Sequence, residues 1–447
     1  MSANGNSKME SIRKMDREHL VYSWKAQRGV NPVIMDRAEG IYQWDVDGKQ
    51  YIDFASGLLC VNIGHGNKHV LGAMKAQMDK LCYTGTMFGS EPKAELARMI
   101  SEVTPGDLDY VFFTNGGAEA VENAIKAARM YTGRHKIYSR WRGYHGATAG
   151  AITLTGDPRR WAAEPGIPGV VHYFGPYPYH DPFGTVDDPE ECGRRTLEVL
   201  RTQIMLDGPH TIAAIFLEPI VGTNGIIIPP KSYIQGLRKL CDEHGILMVS
   251  DEVMAGWGRS GEWFGINNFD VIPDIITTAK GLTSAYVPLG AMIWSKKIWD
   301  HFQDHPFVGG LTYGGHALAC AAGIANIEVY KNDGLIDNSR VLGQHFSKKL
   351  QEVMDKHPSV GDVRNQGLWG CIELTSDKET HAPLAGFADS KRNVAGELLK
   401  RMAEMGLTTF AKWDYIFMAP PLCIDKDQLD ESVAIIDKAL EYTDSLL

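Results

Sequence analysis

The chain has 447 residues, 44% of them hydrophobic, and a formal net charge of −10. That length allows one large core with a smaller lobe, or two or three ordinary domains. Acidic and basic residues are scattered rather than grouped in blocks, which argues against nucleic acid or an anionic membrane surface as the main partner and favours small molecules.

The cysteines and the N-terminus both indicate a cytoplasmic protein. The seven cysteines form no C-x-x-C pair and lack the close spacing of a disulfide framework or a zinc site, so we predict buried thiols in a reducing compartment. Residues 1–20 are polar and charged, without the apolar segment of a secretory signal. No apolar run approaches the roughly 20 residues that would span a bilayer.

The first predicted element is a hairpin in residues 40–54, with its turn at Asp47-Gly48. Further along, short apolar runs alternate with helical patterns, which is typical of an α/β protein with a layered, mostly parallel sheet. The predicted strands are residues 110–114, 212–218, 246–251, 275–278 and 289–294. The predicted helices are residues 119–131, 233–244 and 316–330.

After about residue 332 the pattern changes to long charged helices interleaved with strands near residues 370–374 and 415–418. We therefore predict a large domain over residues 61–332 and a small α/β domain built from both chain ends. In this division residues 1–60 contribute to the small domain, and residues 333–447 form the rest of it.

An aspartate and a lysine follow two of the predicted strands. Asp251 ends one apolar run, and Lys280 follows the next strand and precedes Gly281. Both side chains are expected at the carboxyl edge of the sheet, where α/β proteins bind ligands. Pyridoxal phosphate needs such a pair, because a lysine amine forms the aldimine and a carboxylate keeps the pyridine nitrogen protonated. Singly, the aspartate is more often a helix cap and the lysine more often solvated.

Two glycine-containing turns add to this pair. The run Thr114-Asn-Gly-Gly-Ala follows a strand and opens a helix, whose N-terminal N–H groups suit a phosphate. It matches neither G-x-G-x-x-G nor a Walker loop, so a nucleotide has little support. The run Trp141-Arg-Gly-Tyr-His-Gly presents an aromatic ring suited to stacking on a flat heterocycle, although a plain surface turn is an equal alternative.

Together these motifs resemble the class III, or omega, aminotransferases, which have the type I fold of pyridoxal-phosphate enzymes. Asp251-Glu-Val-Met-Ala-Gly-Trp-Gly-Arg-Ser-Gly is similar to the family's D-E-V-x-x-G-F-G-R-T-G, and Ala279-Lys-Gly to its A-K-G. Phe54-Ala-Ser-Gly, Glu218-Pro, Leu311-Thr-Tyr-Gly-Gly-His and Ala419-Pro-Pro-Leu occur in the family's order. The resemblance covers nearly the whole chain.

The resemblance implies a set of cofactor residues. Lys280 would carry the cofactor and move the proton, and Asp251 would face the pyridine nitrogen. Thr312 would reach the phosphate in a neighbouring subunit, which implies a homodimer or a tetramer. The other implied cofactor residues are Gly117 and Ala118 at the phosphate, Val253 and Tyr144 on the ring faces, and His145 and Glu218 nearby. Ala118 lacks the hydroxyl of the serine that many relatives have there.

Three positions depart from the ornithine and 4-aminobutyrate branch of the family. Ala147 replaces an arginine, Thr223 replaces a glutamate that holds a switching arginine, and Met254 replaces a glutamine. Without the arginine at position 147, this wall of the pocket cannot bind a carboxylate through two parallel hydrogen bonds. The sequence then more resembles the omega-amine branch, whose donors include taurine and β-alanine and whose acceptors are pyruvate or 2-oxoglutarate.

The implied substrate pocket is aromatic and apolar, with a cation for an anionic group. Its candidate residues are Trp24, Leu59, Phe88 and Tyr144, of which Trp24 and Phe88 could equally be ordinary core. Phe410 stands near the place of the family's usual arginine, so the cation is sought among Arg159, Arg160 and Lys412.

Three alternatives stay open beside the omega-amine aminotransferase. An aminomutase or an amine-forming decarboxylase shares the scaffold. A 4-aminobutyrate or ornithine aminotransferase is weakened by the three departures. A cofactor-free binding protein is disfavoured because Asp251 and Lys280 are both present.

Overall fold

The computed structural model describes residues 3–185, 188–387 and 393–447. The helices are α1 (Ala3–His19), α2 (Ser56–Leu59), α3 (Lys68–Lys80), α4 (Glu91–Ser101), α5 (Gly117–Thr132), α6 (Ala149–Leu154), α7 (Pro189–Asp207), α8 (Lys231–His244), α9 (Lys296–Asp304), α10 (Ala317–Asn332), α11 (Leu335–Lys356), α12 (Val394–Glu404) and α13 (Lys426–Asp444). The strands are β1 (Met35–Glu39), β2 (Tyr42–Asp45), β3 (Gln50–Asp53), β4 (Tyr110–Thr114), β5 (Lys136–Arg140), β6 (Val170–Tyr173), β7 (Ile212–Leu217), β8 (Leu247–Asp251), β9 (Ile275–Thr278), β10 (Gly290–Trp294), β11 (Val360–Asn365), β12 (Gly370–Asp377), β13 (Ala382–Pro383), β14 (Leu407–Thr408), β15 (Phe410–Lys412) and β16 (Tyr415–Met418).

The centre of the molecule is a seven-stranded sheet in the order β4-β10-β9-β8-β7-β5-β6. Strands β5 to β9 pair in parallel, and β10 runs antiparallel to both of its neighbours. Strands β7 to β10 are buried along their whole length, as expected for strands covered by helices on both faces. The predicted α/β class with a mostly parallel sheet is confirmed.

The predicted elements of this sheet agree with the structure to within one or two residues. All five predicted strands and all three predicted helices are present. Strands β5 and β6 were not predicted. Strand β5 has the charged residues Lys136 and Arg140 at its ends, and β6 is only four residues long, so neither gives a clear apolar run.

The predicted hairpin is also present, as β2 and β3. The Asp45 carboxylate accepts hydrogen bonds from the backbone N–H groups of Asp47 and Lys49, and Gly48 has a φ of 86° that favours glycine. Strand β14, from near the other end of the chain, pairs in parallel with β3. A separate sheet contains β11, β12, β16 and β15. The proposed domain boundaries at residues 60 and 332 stay a prediction.

The cysteines differ in part from the prediction. All seven are free, and four of them are buried. Cys60 is half-buried, and Cys82 and Cys423 are exposed, so the prediction of seven buried thiols was wrong for these three. Spacing alone does not indicate on which side of a helix or loop a thiol lies. In the described part of the chain, no helix has the length and apolar character to cross a membrane.

Candidate active site

A cavity of about 460 Å³ lies where β8 and β9 end. Asp251 is the last residue of β8, and Lys280 begins a single helical turn two residues after β9. Asp251 and Lys280 lie at the same edge of the sheet because β8 and β9 are neighbouring parallel strands and end there. Eight of the predicted cofactor residues line the cavity: Gly117, Ala118, Tyr144, His145, Glu218, Asp251, Val253 and Lys280.

Each carboxylate oxygen of Asp251 takes part in a hydrogen bond. Its Oδ2 lies 2.6 Å from His145 Nδ1, and its Oδ1 accepts a hydrogen bond from the Val253 N–H at 3.1 Å. Burial lowers the pKa of His145, but the hydrogen bond to Asp251 and the charges of Asp251 and Glu218 outweigh it, so the pKa is raised. His145 therefore donates from Nδ1 to a fixed carboxylate.

Lys280 is a lysine placed in an uncommon backbone conformation. Its φ is 45°, in the left-handed region that L-residues rarely adopt outside glycine, and such outliers concentrate at functional sites. Burial lowers the pKa of its ammonium group, which increases the fraction of free amine. Among the described residues the ammonium group forms no ion pair. A half-buried lysine with no ion-pair partner in the described chain and a lowered pKa is suited to act as a nucleophile.

The N-terminus of α5 forms another wall of the cavity. Its N-cap residue Gly116 makes no capping bond through a side chain, so the first N–H groups of the helix are free for an anion. A Cβ on Gly117 would lie 2.7 Å from Val253 Cγ2, and one on Gly146 would lie 2.6 Å from the Ala118 Cβ. Glycine at these two positions lets Val253 and the Tyr-His-Gly turn approach the helix.

Glu218 holds the turn that contains Tyr144 through two hydrogen bonds to backbone N–H groups. One carboxylate oxygen accepts a hydrogen bond from the Tyr144 N–H and the other from the Gly222 N–H, each at 2.8 Å. Burial raises the pKa of this carboxyl group. Tyr144 is therefore fixed by its backbone while its ring faces the cavity.

Next to the Tyr144 ring lies a group of charged side chains formed by Asp157, Arg159 and Lys412. The Arg159 guanidinium stacks on that ring, with its Cζ 3.7 Å from the centroid. Arg159 Nε donates to the Asp157 carboxylate at 2.9 Å, and Nη2 donates to the Thr223 hydroxyl at 2.7 Å. Lys412 Nζ lies 3.5 Å from Asp157. Burial, and then the charge of Arg159, lower the pKa of Lys412 to about 8.

The remaining predicted residues do not line the cavity. Trp24 is 62% exposed, with its ring 6.5 Å from that of Tyr144, whereas Leu59 is buried in the core. Phe88 is 63% exposed. The Thr312 carbonyl accepts a hydrogen bond from the Tyr83 hydroxyl. Arg160 pairs with Glu164 and lies over Trp141. Of the three candidate cations, Arg159 contacts Tyr144, and Lys412 lies near Asp157, the partner of Arg159.

Two of the three departures are part of the cavity itself, since Ala147 and Met254 both line it. The third, Thr223, contacts Arg159 instead. Sequence reasoning missed Cys60, Asn115 and Asp157. Cys60 and Asn115 line the cavity next to predicted residues, and Asp157 precedes a proline in a way that is typical of a helix cap.

Comparison with known proteins places the chain in a family. Residues 24–440 match the class-III aminotransferase family. A taurine:2-oxoglutarate aminotransferase structure from Bifidobacterium kashiwanohense, in complex with PLP and glutamate, is 41% identical with a TM-score of 0.95, covering 98% of each chain. A putrescine–pyruvate aminotransferase of Pseudomonas aeruginosa is 33% identical (98% of this chain, 97% of the relative), and a taurine–pyruvate aminotransferase of Bilophila wadsworthia is 32% identical (95% and 96%).

The chain therefore belongs to the class-III aminotransferases and has the type I fold of this family. It is a pyridoxal-phosphate-dependent enzyme that transfers an amino group between an amine and a 2-oxo acid. The cavity fits the cofactor, because it combines a lysine without an ion-pair partner in the described chain, a carboxylate fixed by His145, and free N–H groups at the start of α5.

Proposed function

We propose that the enzyme transfers the amino group of a short omega-amine with an anionic end, such as taurine or β-alanine, to a small 2-oxo acid. Pyruvate is the first expected acceptor and 2-oxoglutarate the second. The observation that carries this proposal is the Arg159 guanidinium over the Tyr144 ring, with Lys412 bound to the same carboxylate as Arg159, next to a cavity that includes the apolar residues Ala147 and Met254. Two cations there favour an anion, whereas the apolar wall favours a methylene chain.

The cofactor residues have distinct roles in this proposal. The N–H groups of Gly117 and Ala118 would bind the phosphate at the positive end of the helix dipole. Val253 and Tyr144 would hold the two faces of the ring, and His145 and Glu218 fix the positions of Asp251 and Tyr144. Asp251 would face the pyridine nitrogen and favour its protonated form.

Lys280 is the residue that holds and moves the proton. When bound, pyridoxal phosphate supplies an electron sink that stabilises negative charge on the substrate carbon. The Lys280 amine, whose pKa is lowered by burial, would take the proton from that carbon and deliver it to the cofactor carbon bonded to the same nitrogen.

A second copy of the chain completes the site in this proposal. Thr312 lies outside the cavity of its own subunit, in a turn with Gly309, Gly310 and Gly314 near it in sequence. Its hydroxyl would reach the phosphate in the neighbouring subunit, which makes a homodimer the smallest active unit. Trp24 and Phe88, both largely exposed, are the proposed aromatic contacts of the substrate, whereas Leu59 is buried in the core.

The experiment is a panel of donors titrated against the cofactor-loaded enzyme and followed by the loss of the cofactor's visible absorbance. Taurine and β-alanine should bleach it faster than ornithine and 4-aminobutyrate, and 1-phenylethylamine tests an apolar donor without an anion. Faster bleaching by ornithine or 4-aminobutyrate than by every other amine would contradict the proposal. Equal amounts of keto acid consumed and amino acid formed would separate transamination from mutase and decarboxylase activity.

A further inference from the structure

We propose that Asp157 is a positioning residue that holds Arg159 and Lys412 in place for the anionic end of the substrate. The inference rests on the proposed function, because it concerns how the same site recognises its anion. Asp157 lies between α6 and the short helical turn Pro158–Ala163, and its side chain is fully buried. A buried carboxylate is retained only where charged or hydrogen-bonding partners compensate for its desolvation.

Asp157 joins side chains from three separate parts of the chain. Both of its carboxylate oxygens accept hydrogen bonds from Arg159 Nε, at 3.0 and 2.9 Å. Its Oδ2 also accepts a bond of 3.0 Å from the Asn224 amide and lies 3.5 Å from Lys412 Nζ at the end of β15. Sequence separations of 67 and 255 residues show that tertiary structure, not local sequence, assembles this group.

The charges of the group suit a substrate with one negative charge. One carboxylate faces two cations, so the group of Asp157, Arg159 and Lys412 keeps one net positive charge when Lys412 is protonated. A sulfonate or a carboxylate supplies one compensating charge. A donor without an anionic end has no charge that could pair with this group, so the group adds nothing to its affinity.

Holding Arg159 also reduces the cost of binding. A free arginine side chain loses rotamer freedom when it binds an anion, and a preorganised one has already lost it. Asp157 and Thr223 hold the Arg159 guanidinium over the ring of Tyr144, which lines the cavity. The cation therefore stays next to this cavity residue before a substrate arrives.

Removal of the Asp157 charge distinguishes two roles of this residue, positioning the cations and merely cancelling their charge. If Asp157 only cancels positive charge, its loss should strengthen the binding of an anion. If it positions the cations, its loss should weaken that binding. Asp157→Asn is the suitable variant, because the Asp157 side chain also caps the turn by accepting the Arg159 N–H at 2.9 Å, and asparagine is an equally good cap.

The test measures the donor half-reaction of the cofactor-loaded enzyme without acceptor, with taurine and with 1-phenylethylamine. For Asp157→Asn we expect the apparent Kd of taurine to rise about tenfold, the loss of one charge-assisted contact, with an unchanged limiting rate. The Kd of 1-phenylethylamine should stay within about twofold. Thr223→Val, which removes the other hydrogen-bond acceptor of Arg159, should give a smaller rise of about threefold for taurine alone.

Glu164→Gln is the matched control, because it removes the carboxylate partner of the neighbouring Arg160 and should change neither Kd. An unchanged or lower taurine Kd in Asp157→Asn would overturn the positioning role, as would an equal rise for both amines. If the unaltered enzyme binds taurine no better than 1-phenylethylamine, the proposed function itself fails, and this inference with it.

Discussion

His145 Nδ1 lies 2.6 Å from the Asp251 carboxylate, and both side chains are almost completely buried. The Val253 N–H donates to the other carboxylate oxygen. The carboxylate is thus fixed in position before the cofactor binds. In the role proposed for Asp251, a fixed carboxylate opposite the pyridine nitrogen would stabilise developing charge without reorganisation during the reaction.

Asp251→Asn tests the importance of this charge. The amide retains the size and the hydrogen-bonding oxygen but no longer favours the protonated pyridine nitrogen. We expect kcat to fall about a hundredfold or more, while the Kd of the cofactor changes by less than about tenfold. Steady-state kinetics and a cofactor titration measure the two quantities. Undiminished turnover would remove Asp251 from this role.

Gly117→Ala tests the packing between α5 and the strand that carries Asp251. The added methyl group would lie 2.7 Å from Val253 Cγ2, so Val253 has to move. Since alanine is a better helix former than glycine, thermal stability should change little, but the cofactor should dissociate more readily. Gly72→Ala is the matched control, because Gly72 also lies in a helix, α3, and a Cβ there would meet open space. Gly133→Ala is unsuitable, because Gly133 has a φ of 67° that favours glycine.

The binding of anionic donors should depend on the charge of Lys412. Burial and the charges of Arg159 and Arg142 lower its pKa, and Asp157 opposes them, giving a pKa of about 8. Lys412 is protonated below this value, so the affinity for taurine should fall as the pH rises through about 8. The affinity for 1-phenylethylamine, measured in parallel, reports the pH dependence shared by all donors. Lys412→Met should remove the difference between the two profiles, and its persistence in that variant would contradict the assignment.

Subunit mixing tests the proposed role of Thr312. A Lys280→Ala subunit and a Thr312→Ala subunit should form heterodimers with one intact site, because the lysine of one subunit meets the threonine of the other. Each variant alone should lose activity or cofactor, and the mixture should regain up to about half of the activity per heterodimer. No recovery in verified heterodimers would mean that the site is not shared in this way.

The central sheet and the cofactor side of the site were largely predictable from the sequence. Asp251 and Lys280 follow apolar runs, and strand ends in a parallel sheet lie at one edge, so local patterns were enough to bring them together. The Asp157 group was not predictable in the same way. Asp157 looks locally like a helix cap, and its contact with Lys412 joins residues 255 positions apart. Such contacts depend on how distant segments of the chain pack in the folded structure.

The most direct test of the enzyme's assignment is the identity of the lysine that carries the cofactor. Borohydride treatment of the loaded enzyme fixes the bond between lysine and cofactor, and peptide mapping then locates the modified residue. We expect the label on Lys280, and we expect Lys280→Ala to remain folded but to lose both label and transamination. Label on a different lysine, or transamination by the Lys280→Ala variant, would contradict the central role of Lys280.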